Sequence, residues 1–71
     1  MEIKIGKVGE IVAGDEVGSF VKVIDDTDKT GGFLILTSST PEMKDGFDNW
    51  VENESSLRQY FIESNWVIRW L

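Results

Sequence analysis

The residues of this chain whose types and spacing come nearest to chemistry run from Asp26 to Gly31. Asp26-Thr27-Asp28-Lys29-Thr30-Gly31 offers oxygen ligands at positions one, three and five and a glycine at six, as in the first half of an EF-hand calcium loop. The imitation then stops. Position twelve falls on Thr37 where a bidentate Glu is required, and the flanking residues have strand character where the motif needs helices. A carboxylate-rich hairpin loop in solvent is the simpler reading, with a cation or small-molecule site at Asp25–Asp28 as the alternative. Gly31-Gly32 does not make a phosphate cradle, because Phe33-Leu34 stand where a P-loop carries its lysine and hydroxyl.

Acid–base chemistry fares no better. A glycosidase-type pair needs two carboxylates about 5 to 9 Å apart in a cleft. Thirteen acidic residues in a 71-residue chain reach such distances by chance, and so small a chain has little interior in which to raise one pKa. Lys22, inside a run of strand character, would be a nucleophile only if buried, and an outward or snorkelling lysine is the commoner case. With no histidine and no cysteine there is no imidazole base, thiolate, zinc finger or disulfide. The sequence therefore points to no enzyme, no metal centre and no cofactor.

What remains is a segment suited to contact. From Glu42 to Glu54 the acids Glu42, Asp45, Asp48, Glu52 and Glu54 face a single Lys44, five charges against one for a local −4, with Phe47 and Trp50 among them. Aromatic anchors inside a charged rim are what protein interfaces use, since the ring supplies desolvated area and the rim steers the partner. These seven acidic and aromatic residues form the candidate partner-binding set. The competing reading is that Phe47 and Trp50 tuck into the core and pin an irregular loop; both can hold at once. Trp66 and Trp70 could stack bases or sugars, but small domains need bulky residues to close their cores, and core filling is preferred.

The elements that would position these residues follow from hydrophobic periodicity. Glu2-Ile3-Lys4-Ile5 alternates as a half-buried strand, and Glu10–Ala13 is a short second strand ending at the turn-like Gly14-Asp15-Glu16. Ser19–Ile24 and Gly32–Thr37 are the central strands, joined as an antiparallel hairpin by the polar stretch 25–31. The nearly continuous apolar run 33–36 calls for cover on both faces, a helix on one side and a curled sheet or a partner on the other. Residues 38–53 read as irregular, with room for one helical turn where Ser39 and Glu42 have capping-box spacing around Pro41. A helix then spans about 55–64, with Asn53 as N-cap, Glu54 in its first turn and Leu57, Tyr60, Phe61 and Ser64 on one stripe. Asn65 suits the left-handed position that ends a helix, and Trp66–Leu71 alternates as a last strand with Trp66, Ile68 and Trp70 on one face.

The fold class is thus α+β: one domain over residues 1–71, a small antiparallel sheet of four to five strands in the order β-β-β-β-α-β, and one helix near the C-terminus packed on it. A formal net charge of −6 repels phosphate backbones and anionic membranes, so neither nucleic acid nor membrane is an expected partner, whereas a basic protein is. Acidity also serves solubility alone. The chain opens on alternating charge without an apolar leader, and no window holds the roughly 20 apolar residues of a membrane span, which suggests a soluble, cytoplasmic protein. A homodimer through strand-edge pairing is a further expectation, raised by the runs 33–36 and 66–71.

The succession of Val23-Ile24-Asp25-Asp26, Thr30–Leu36, Phe47-Asp48-Asn49-Trp50-Val51-Glu52, Leu57, Tyr60-Phe61 and Trp66–Trp70 resembles small acidic bacterial immunity-type proteins that accompany polymorphic toxins. The resemblance is spread over residues 17–71 without one diagnostic motif. It implies a cytosolic inhibitor that binds and blocks a toxin domain, with acidic residues and exposed aromatics as the contact set.

Overall fold

The computed structural model describes residues 2–71, leaving Met1 outside. The chain runs β1 (Val8–Ala13), β2 (Phe20–Asp26), β3 (Gly32–Ser38), β4 (Phe47–Val51), α1 (Glu54–Glu63) and β5 (Val67–Trp70). All strands join one antiparallel sheet in the spatial order β4-β3-β2-β1-β5, with the single helix packed on one face. The α+β class and the order β-β-β-β-α-β stand.

The central hairpin follows from its residues. Val21 and Val23 on β2 and Phe33 and Ile35 on β3 alternate inward, and their register pairs Val21 with Thr37 and Val23 with Ile35. The turn is closed by the polar residues the composition marked. Thr27 donates from both its backbone N–H and its hydroxyl to Asp25 Oδ1, at 3.0 and 2.7 Å, and Thr30 Oγ1 donates to Asp26 Oδ2 at 3.0 Å. Side chains of Asp and Thr in this role substitute for backbone partners and fix the turn.

Helix α1 starts where Asn53 caps it, its side chain accepting from the Ser56 N–H at 2.8 Å. It ends in a Schellman motif. Asn65 takes a φ of 56°, its N–H donates to the Ile62 carbonyl, and the Trp66 N–H reaches back to the Phe61 carbonyl. The hydrophobic contact that accompanies such a motif is here aromatic, the Phe61 and Trp66 rings meeting edge to face at 4.9 Å. Leu57 and Phe61 thereby enter a core with Ile11, Val21, Val23, Phe33, Ile35 and Trp66.

Three expectations need correction. Glu2–Ile5 is not a strand. A turn closed by the Lys7 N–H on the Lys4 carbonyl separates it from β1, both edges of β1 are occupied by β2 and β5, and the segment instead lays Ile3 against the core while the Glu2 carbonyl accepts from Trp70 Nε1. The capping-box turn at Ser39–Glu42 does not form. The Met43 N–H closes a turn on the Thr40 carbonyl, and the Ser39 hydroxyl turns to Asp45. Finally, the stretch taken as irregular ends in a strand, β4, which pairs with β3 from Thr37–Phe47 to Phe33–Val51. Gly46 makes that return tight: at φ 113° any Cβ would stand 1.8 Å from the Thr37 carbonyl oxygen.

The helix covers one face of the sheet only. Phe20, Lys22, Ile24, Leu34 and Leu36 project from the other face, each half-buried by its neighbours, and no element of the described residues lies over them.

Candidate protein-contact site

Strand alternation divides the seven candidate residues. On β4, register with β3 puts Phe47 on the helix side with Asn49 and Val51, and puts Asp48 and Trp50 on the open side beside Leu36 and Leu34. Neither aromatic is a core residue. Phe47 is 75% exposed and Trp50 49%. Glu42 sits in the turn before Met43, Glu52 follows β4, and Glu54 opens α1, where it meets Arg58 at 3.7 Å. Five residues of extended chain cover about 14 Å, so Glu52 and Glu54 lie at the far end of β4 from Phe47.

Phe47 and Asp45 do come together. With Gly46, Glu16 and Ser19 they line an open cavity of about 340 Å³. Thr37 and Ser38, both buried, line it too. The Asp45 carboxylate is held in place by hydroxyls: Ser38 Oγ donates to Oδ1 at 2.6 Å and Ser39 Oγ to Oδ2 at 3.1 Å. Those bonds favour the charged form and keep the Asp45 pKa below its ordinary value, the Ser38 hydroxyl contributing most. The site thus presents a fixed anion, a second carboxylate at Glu16 and an exposed ring.

The helix feels the acids at this end of the sheet. Burial pushes the Tyr60 phenol up, and the charges of Glu16 and Asp15 push it the same way. Tyr60 accepts from Asn49 Nδ2 at 3.0 Å, tying helix to edge strand. Sequence reasoning missed Glu16, whose tripeptide Gly14-Asp15-Glu16 reads only as a turn, and missed that Ser38-Ser39 would orient Asp45 across the loop. A Ser-Ser pair followed at six or seven residues by Asp after a strand was the available signal.

Trp50 is held on the opposite face. Its Nε1 donates to Thr30 Oγ1 at 2.9 Å, and its ring lies so close over Gly32 that a Cβ there would come within 2.6 Å of the indole nitrogen. The Asp25 and Asp26 carboxylates are engaged within the hairpin turn, and among the described residues no three acidic, histidine or cysteine side chains converge as a metal site. No helix of the described residues is long and apolar enough to cross a membrane. No protein-family model, curated protein or solved structure matches the chain.

Proposed function

We propose that this chain is a small acidic, cytoplasmic protein-binding domain that engages a basic protein partner at the β4 end of its sheet and blocks it, in the manner of an immunity-type inhibitor. One observation carries the reading: Phe47 stands three-quarters exposed at a cavity that Asp45 and Glu16 also line. An exposed phenylalanine held at the mouth of an anionic recess suits an arginine or lysine side chain, which would lie over the ring and pair with the acids. Glu42 and the charges of Asp15 and Glu52 supply the wider field that speeds encounter with a basic surface.

The test is capture from a lysate of its own organism, at low and high salt, with the tagged wild-type domain beside Phe47→Ala and Glu42→Lys. A stoichiometric protein retained at low salt, released by high salt and lost with either substitution is the expected result. A partner that binds both variants as well as the wild type, or no stoichiometric partner at all, would sink the proposal.

A further inference from the structure

The uncovered face of the sheet has an internal order that the register makes visible. Leu36 lies between Asp48 on β4 and Lys22 on β2, and Leu34 lies between Trp50 and Ile24 on the same two strands. Strands are spaced about 4.8 Å apart, so Asp48 and Lys22 stand as an acid and a base at equal distances either side of β3. Neither has an ion-pair partner among the described residues. In the next row Glu10 pairs with Arg69.

We propose that this face is the interface of a homodimer whose two-fold axis runs parallel to β3 past Leu34 and Leu36. Rotation about that axis carries β4 of one copy over β2 of the other. Asp48 then meets Lys22 of the second copy, twice; Trp50 meets Ile24, twice; and Leu34 and Leu36 meet their own counterparts on the axis. An isologous contact requires such self-complementarity. Packing two sheets face to face about 10 Å apart is the ordinary way such surfaces are covered.

Charge identifies the occupant as a second copy. The face carries Asp48, Glu10 and Asp26 against Lys22 and Arg69, three acids and two bases for a sum of −1, while the chain as a whole carries −6. A basic protein is drawn to the excess on the loops and the helix side, where Phe47 and Glu16 lie, while the nearly balanced face carries in Asp48 and Lys22 its own complement. Trp50 is also preorganised, since its bond to Thr30 and its seat over Gly32 fix the ring before association. The Phe47 site lies on the helix side and stays accessible in the dimer.

Light scattering across a range of concentrations tests it. The mass should rise from 8.0 kDa toward twice that value. Lys22→Asp and Asp48→Lys should each raise the dimer dissociation constant by about tenfold or more, and the double exchange should restore the dimer, because the swapped charges meet again. Circular dichroism checks that the variants fold. If they do not, wild-type samples mixing labelled and unlabelled copies decide the matter through intermolecular NOEs from the Trp50 indole to the Ile24 methyls. The proposal is overturned by a wild-type monomer at millimolar concentration. It is equally overturned by single reversals that dimerise like wild type, by a folded double variant that stays monomeric, or by a dimer lacking those NOEs.

Discussion

Phe47 and Phe61 carry the same benzyl group, yet Phe61 has no exposed surface and Phe47 keeps 75% of its own. Phe61 packs edge to face on Trp66 inside the Schellman turn, so its removal would empty the centre of the core. Phe61→Ala should cost about 3 to 5 kcal/mol, comparable to the whole stability of so small a domain, and leave the chain largely unfolded in thermal melts. Phe47→Ala should change stability by no more than about 0.5 kcal/mol. A melting temperature that falls as far for Phe47→Ala as for Phe61→Ala would mean that Phe47 supports the fold instead of facing a partner. Sequence alone left both roles open for Phe47 because composition fixes what a ring can do and not which side of an edge strand it occupies.

At the scale of elements, the central hairpin and the helix with both of its ends were legible because several local signals agreed: alternation in Phe20–Ile24, turn formers at 25–31, Asn53 before Glu54, and Asn65 before Trp66. Two segments misled for opposite reasons. Glu2–Ile5 alternates, but alternation describes two unlike faces and not a free edge to pair with. Strand β4 shows no apolar alternation because an edge strand is half exposed on both faces, so Asn49 can use its amide on Tyr60 and Asp48 needs no partner within the chain. The two polar loops carry a testable pH dependence. The Thr27 hydroxyl and N–H lower the Asp25 pKa, and the Ser38 and Ser39 hydroxyls lower that of Asp45. A depressed carboxylate contributes stability above its unfolded value of about 3.9 that is lost as the pH falls through the lower folded value. Carboxyl titration followed by NMR should therefore place both groups below exposed acids of the chain, with the Thr27 amide shifting as Asp25 protonates. Ordinary titration of both groups would show that these hydroxyl bonds are not populated.

At the scale of the whole molecule, the spatial order β4-β3-β2-β1-β5 is a meander from β1 to β4, after which α1 carries the chain from one edge of the sheet back to the other. Strand β5 then lies antiparallel beside β1, and the two ends of the described chain meet where Trp70 Nε1 donates to the Glu2 carbonyl at 3.2 Å. Taken as a ring, the strands succeed one another as 5, 1, 2, 3, 4, every neighbour in space a neighbour in the cycle. The fold is therefore a closed circuit in which the place of the chain ends is incidental, and the helical return is the one connection that spans both edges. A circular permutant that joins the ends through a short glycine-serine linker and opens between Pro41 and Glu42 should keep the same sheet and a similar melting temperature, whereas opening within α1 should abolish folding.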